Sequence, residues 1–247
     1  MNKFILLLLL ALVSCEVDIE AEIFKTFQRF IKKYNKKYSS MTEFLARYNA
    51  FRLNIVKLTE NGPETFKTGV TKFSDLTPQE FAKTYLNLNF DAYAFMNFKP
   101  VHAKVTNDVA PDAFDWRDKG VVSPVKDQGS CGSCWSFATV ANLEGLYAQK
   151  KGVIKTFSEQ FLVDCDTEDS GCNGGLMELA FEWLKQNGGF MYEEDYPYAN
   201  KKGTCKQDTS KFVDMKVTGY VKLGDSGETF SPVDEGEMKE FLYQTGP

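Results

Sequence analysis

With 247 residues, 43% hydrophobic and 14% aromatic, the chain can bury a sizeable core in one large or two small domains. A net charge of −5 and a pI of about 5.2 argue against nucleic acid as a partner. The charge is uneven: residues 16–108 carry fourteen Lys and Arg against eleven Asp and Glu, whereas 109–247 carry fourteen against twenty-three. Opposite signs of this kind fit docking of one part on the other, and equally two independently solvated surfaces.

The first stretch, 1–15, has the pattern of a secretory signal: Lys3, an apolar run over 4–13, then the small residues Ser14 and Cys15. Ten apolar residues are too few to cross a bilayer, which takes about 20. No other run is long enough, so no membrane span is expected. Export implies an oxidising compartment, where Cys131, Cys134, Cys165, Cys172 and Cys205 read as disulfide partners with at least one thiol left over. Spacing does not say which one.

Ile19, Ile23, Phe24, Phe27, Phe30, Ile31 and Tyr34 recur at helical spacing. Ser40 and Glu43 form a capping-box pattern, followed by a seam of Phe44, Tyr48, Phe51, Ile55 and Leu58 that should pack on another helix. Asn61-Gly62-Pro63 ends it. Periodicity alone supports only a helical hairpin. Thr77, Pro78 and Glu80 open a third, short helix. From Asn87 to about Ala110 there is no period and no cap, which predicts an extended linker; the chain's single histidine, His102, lies in it.

Trp135 to about Gln149 is apolar on nearly every face, the mark of a helix in the middle of a domain. Cys134 stands at its amino end, where unpaired N–H groups and the helix dipole favour an anion, and thiolate is the reactive form of cysteine. Cys131-x-x-Cys134 also fits a redox pair or half a zinc site. The redox reading wants a preceding strand, whereas the approach here is a loop with Pro124 and Gly129, and the zinc reading suits a reducing compartment. No metal and no cofactor are expected. Further on, 158–163 reads as a short helix leading to Cys165. Leu176, Leu179, Ala180, Trp183 and Leu184 form another helix, stopped by Asn187-Gly188-Gly189. Residues 212–223 predict one or two strands, and Met238, Phe241 and Leu242 a last helical turn.

Cys131-Gly132-Ser133-Cys134-Trp135 resembles the signature of papain-family cysteine proteases. Asp115-Trp116-Arg117, Pro124-Val125-Lys126-Asp127-Gln128 and Gly171-Cys172-Asn173-Gly174-Gly175-Leu176-Met177 agree with it. Glu43, Arg47, Phe51, Asn54 and Leu58, with Gly69-x-Thr71-x-Phe73-x-Asp75, resemble the inhibitory pro-segment motifs of the cathepsin L-like members. Leu58 and Thr71 depart from the commonest residues there. The resemblance implies an α+β architecture. A signal peptide (1–15) and an inhibitory pro-segment (16–109), helical and then extended, precede a partial papain-like peptidase domain (110–247). That domain is the mostly helical first lobe, with the β-rich second lobe largely absent, since Gly246-Pro247 resembles the opening of that lobe.

The resemblance further implies Cys134 as nucleophile and Gln128 as oxyanion donor. It implies Gly174 and Gly175 as backbone that an extended peptide can approach, and Leu176 and Met177 as lining for an apolar side chain two before the cleaved bond. By themselves Gln128 is a solvated loop residue, and Leu176 and Met177 are packing at a helix start. The pairing implied is Cys131–Cys172 and Cys165–Cys205, leaving Cys134 free. The family's catalytic histidine and asparagine follow the cysteine by about 130–150 residues, and 113 residues follow Cys134 here. The expectation is therefore a secreted or lysosomal (acidic-vacuole) cysteine endopeptidase precursor, monomeric, acting on proteins and inhibited by its own pro-segment. It would be cleaved near Val109 and inactive as given. The alternative is a non-catalytic secreted protein whose pro-segment binds and inhibits such proteases.

Overall fold

The computed structural model describes residues 19–60, 67–86, 109–221, 223 and 234–247, without the side chains of 59 and 60. The signal-like segment, Asn61-Gly62-Pro63, His102 and nearly all of the linker lie outside the described residues. The chain divides into two compact units that part between Lys83 and Thr84.

The first unit holds α1 (19–33), α2 (Met41–Glu60) and most of α3 (Pro78–Tyr85). The spaced aromatics of α1 and α2 meet as expected. Phe27, Phe30 and Phe51 are almost wholly buried with Ile23, and Phe44, Tyr48, Ile55 and Val70 pack around them. The Phe27 and Phe51 rings lie 5.1 Å apart, and each such buried side chain contributes about 1.5–3 kcal/mol. Ser40 Oγ accepts from Glu43 N at 3.1 Å, but the Glu43 carboxylate reaches Ser39 N and Oγ, so the box closes one residue early. At α3 the box is complete: Glu80 N donates to Thr77 Oγ1 at 3.2 Å, and Thr77 N to the Glu80 carboxylate at 2.8 Å.

The polar residues between the aromatics lock the 67–77 segment onto α2. Arg47 donates to the Asp75 carbonyl at 3.3 Å, and Asn54 to the Ser74 and Leu76 carbonyls at 3.0 and 2.9 Å. The buried Asp75 carboxylate accepts from Lys36 at 2.8 Å and Tyr38 at 3.0 Å. Tyr34 donates to the Val70 carbonyl. Unpaired, these carbonyls and this charge would each cost more than a lost hydrogen bond.

The second unit carries α4 (Cys134–Lys151), α5 (Glu159–Cys165), α6 (Met177–Asn187) and α7 (Glu235–Thr245). Single 3₁₀ turns occur at Trp116–Lys119 and Thr209–Lys211. α4 packs on α5 and α6 over a core that includes Trp135, Leu143, Phe157, Phe161, Leu184 and Met191. Ser158 caps α5 by accepting from Phe161 N at 2.9 Å. Gly152 and Gly188 end α4 and α6 in the left-handed region.

Three sequence expectations need correcting. α4 is not buried on every face: Ala138 and Ala141 are exposed, while the polar Ser136, Thr139 and Glu144 take core positions. Each of these polar groups finds a partner, Ser136 and Thr139 bonding back to the Ser133 and Trp135 carbonyls. Residues 212–223 form no strand among the described residues. Phe212 makes an isolated bridge to Met191, and Val213 N donates to the Phe190 carbonyl at 2.8 Å, so side-chain burial rather than a ladder fixes this stretch. The last helical turn is an eleven-residue helix, begun by Asp234 accepting from Glu237 N at 2.9 Å. No helix among the described residues is long and apolar enough to cross a membrane.

Candidate active site

Cys134 is the first residue of α4 and is exposed, while Trp135 beside it is buried. The preceding residue, Ser133, makes no side-chain cap; its hydroxyl instead meets the Tyr198 hydroxyl at 2.7 Å. The Ser133 carbonyl accepts from Ser136 N at 2.9 Å, but its hydroxyl takes none of the first-turn N–H groups, and the amino end of α4 favours negative charge. Among the described residues Cys134 is the one free thiol. Cys131 is joined to Cys172 and Cys165 to Cys205.

The Cys131–Cys172 bond also fastens the loop before α4 to the glycine-rich strip before α6. Gly132 N donates to the Cys172 carbonyl at 2.9 Å, a one-rung parallel bridge between Gly132 and Asn173. Trp135 Nε1 donates to the Gly171 carbonyl at 3.0 Å. Gln128 is half-buried, and one N–H of its amide donates to the Cys131 carbonyl at 3.0 Å. That bond aims the amide along the loop before α4 and leaves its second N–H for another acceptor. Cys134, Gln128 and Gly174–Met177 are therefore held on one short framework.

Gly175 is fixed by what lies beneath it. A Cβ there would stand 2.5 Å from Asp169 Oδ1 and 2.6 Å from the Trp135 ring. Gly174 adopts φ +112°, which side chains resist. Leu176 is half-buried at the start of α6, and Met177 is 40% exposed.

Sequence reasoning missed the residues that brace this framework. Tyr198 OH donates to the Gln128 carbonyl at 2.8 Å, and its ring packs edge-on against Phe137. Asn200 Oδ1 accepts from Ser130 N at 2.9 Å and Cys131 N at 3.1 Å. Asn200 has φ +57°, an uncommon conformation held by those bonds. The signal available was the Tyr198-Ala199-Asn200 end of a turn-rich loop, too weak to name a partner seventy residues away.

Deeper in, Lys126 Nζ lies 2.6 Å from both Glu144 and Glu159, carboxylates only 1% and 2% exposed. Ser123 Oγ and Phe157 N also donate to Glu144. Burial pulls the Lys126 ammonium down, but its two hydrogen-bonded glutamates more than offset this and hold it above its ordinary value. Burial pushes the Glu159 carboxyl up to about 7 against the opposing pull of Lys126. The clue in the sequence was Glu144, a charge in the middle of an apolar run.

Beneath the glycine strip, Asp166 and Asp169 are also buried. Asp169 Oδ1 accepts from Leu176 N at 2.8 Å; Asp166 Oδ1 accepts from Glu168 N at 2.8 Å and Asp169 N at 3.3 Å. Burial raises both carboxyls, and the charges of Asp166 and Glu168 add to it at Asp169, which is pushed up to about 8. Among the described residues no group of three or more His, Cys, Asp and Glu side chains is arranged to hold a metal ion.

The model for the papain family cysteine protease matches residues 110–247, and that for the cathepsin propeptide inhibitor domain matches 27–81. The chain belongs to the papain family of cysteine proteases. Among papain-family relatives, cysteine proteinase 15A of Pisum sativum is 41% identical over 238 residues, covering 90% of this chain and 61% of the relative. Cysteine proteinase 1 of Zea mays is 40% identical over 245 residues, covering 93% and 64%. The chain thus spans under two thirds of the length of these curated relatives. Among solved papain-family structures, digestive procathepsin L2 proteinase from Tenebrio molitor larval midgut superposes with a TM-score of 0.79. It is 31% identical and is covered to 73%, against 91% of this chain.

Proposed function

We propose that the chain is the precursor of a cathepsin L-like cysteine endopeptidase in which Cys134 is the nucleophile. Its thiol proton would pass to a catalytic base, Sγ would bond to the scissile carbonyl carbon, and the C–N bond would break as the amine leaves with that proton, giving an acyl-enzyme. The second Gln128 N–H and the Cys134 N–H would donate to the oxyanion; one such donor is worth about 3 kcal/mol of transition-state stabilisation. Gly174 and Gly175 would offer backbone to an extended peptide, and Leu176 and Met177 an apolar surface for the residue two before the cleaved bond. The supporting observation is the meeting of three features on one disulfide-tied framework: a free exposed thiol at a helix start, an oriented amide, and a strip without side chains.

The base is a separate matter. The only histidine in the 247 residues, His102, precedes Cys134. The reading therefore assigns these residues nucleophile, oxyanion donors and peptide wall, and assigns them no turnover of their own. Residues 16–109 would act as an intramolecular inhibitor removed near Val109, and 1–15 would send the monomer into the secretory pathway, to an acidic compartment or outside. A thiol-alkylating peptidyl chloromethyl ketone with Leu in the second position should label Cys134 faster than its Asp counterpart, while peptide turnover stays at the level of Cys134→Ala. Equal labelling by both reagents would overturn the wall. Turnover lost on Cys134→Ala would overturn the assignment of no base.

A second reading is that the first unit inhibits other papain-family proteases in trans, favoured by its own aromatic core and by the Asp75 lock. The Cys134→Ala chain should then slow a relative's peptide hydrolysis, and Asp75→Ala should relieve that. An inert Cys134→Ala chain at high concentration would end this reading.

A further inference from the structure

The Asp166–Asp169 pair is not used by the chemistry above, yet it touches the peptide wall directly. Both residues are nearly sealed from solvent, at 2% and 5% exposure, and the Oδ2 atom of each has no hydrogen-bond partner among the described residues. Two carboxylates have no donor between them. Burial raises both carboxyls, and a single proton held by the pair would replace repulsion with a hydrogen bond and give the orphaned oxygens a use. The remaining oxygen, Asp169 Oδ1, accepts from Leu176 N and lies directly under Gly175, where a Cβ would come within 2.5 Å of it.

We propose that Asp169 is a positioning residue of the peptide wall: singly protonated with Asp166, it holds the Leu176 N–H and the Gly174–Gly175 backbone in the shape that an extended peptide meets. This rests on the reading of 174–177 as that wall. The groups facing the pair are few. Glu168, from the same loop, opposes ionisation; α4 presents the uncharged Trp135 ring to Gly175; and the start of α6 presents the Leu176 N–H. Release of the shared proton to solvent leaves two negative charges in a closed loop. Repulsion and hydration then draw Asp169 outward, Leu176 N loses its acceptor, and the wall loosens while the thiol of Cys134 stays in place.

The test compares two alkylations of Cys134 in the whole chain, by the Leu-bearing peptidyl chloromethyl ketone and by iodoacetamide. Iodoacetamide corrects for the thiol's own ionisation, so the ratio of rates reports the wall. The wild-type ratio should fall about tenfold between about pH 6 and about pH 9.5. Asp169→Asn, which keeps the acceptor for Leu176 N and can still donate to Asp166, should hold the ratio within about twofold over the same range. Asp169→Ala should be low throughout. If Asp169→Asn fails to fold, Asp166→Asn also removes the charge clash and should flatten the profile. In parallel, the Leu176 amide resonance should shift with the titration of the Asp169 carboxyl. A flat wild-type ratio with peptide preference intact, or an Asp169→Asn ratio that falls as wild type does, overturns the proposal. No peptide preference at any pH, with a Leu176 amide that still follows Asp169, instead overturns the wall reading on which it rests.

Discussion

A charge placed inside a protein is informative because its energy depends on a handful of named neighbours. Lys126 between Glu144 and Glu159 is one ammonium facing two carboxylates, so full ionisation would leave a net buried negative charge. The cluster resolves this by keeping a proton on Glu159 up to about pH 7. A carboxyl whose folded-state pKa is raised binds more protons folded than unfolded between the two values. Stability is then highest below the ordinary glutamate range and falls as pH rises from about 4.5 to about 7. Over that interval the loss amounts to ~3–4 kcal/mol at most, at about 1.4 kcal/mol per unit. Glu159→Gln keeps the shape and removes the titration. Urea denaturation at mildly acid and neutral pH should show the variant gaining on wild type as pH rises; a constant difference between them would mean Glu159 is already ionised throughout.

At the scale of elements, what the sequence made legible was whatever repeats or caps. The aromatic spacing of α1 and α2, the Thr77-Pro78-Glu80 start of α3 and the Ser158 start of α5 all have local causes and stand where they were expected. The length of α7 and the strandless course of 212–221 do not, because their form is set by contacts distant in sequence: Phe190 for Val213, and for α7 the Trp116 indole donating to the Leu242 carbonyl at 2.9 Å. The site divides along the same line. Cys134 and Gln128 were visible as a local motif; Tyr198, Asn200 and Asp169, which brace them or the strip beside them, were not, since each acts across a fold that the sequence does not display. The Cys131–Cys172 bond closes a separation of 41 residues, which in the chain-entropy account is worth about 4 kcal/mol. Replacing both cysteines by Ala should lower unfolding free energy by roughly 2–5 kcal/mol. It should also reduce peptidyl over iodoacetamide selectivity at Cys134, because the Gly132–Asn173 bridge loses its brace. Lost stability with unchanged selectivity would show that the bridge keeps register without the disulfide.

For the molecule as a whole, the decisive surface is the face of α4 that sequence reasoning placed in the interior. Ala138, Ala141 and Phe137, with Val122, Pro124 and Pro247, line a cavity of about 400 Å³ whose floor is the Lys126–Glu144–Glu159 cluster. Val125 on its rim is fully exposed. Apolar composition alone could not tell this face from the opposite one, because both are built of residues that a core accepts. The distinction arises only once Val140, Leu143 and Tyr147 have joined the core that α4 shares with α5 and α6. An open concave apolar surface of this kind binds amphiphilic dyes and promotes association. Added anilinonaphthalene sulfonate should therefore fluoresce with the folded chain below its unfolding midpoint. Ala138→Lys together with Ala141→Lys should abolish most of that signal and reduce concentration-dependent light scattering. Because both positions are exposed, unfolding free energy should change by no more than about 0.5 kcal/mol. Undiminished dye binding in the double variant would place the accessible apolar surface elsewhere, and a large loss of stability would mean that these alanines are packed rather than open.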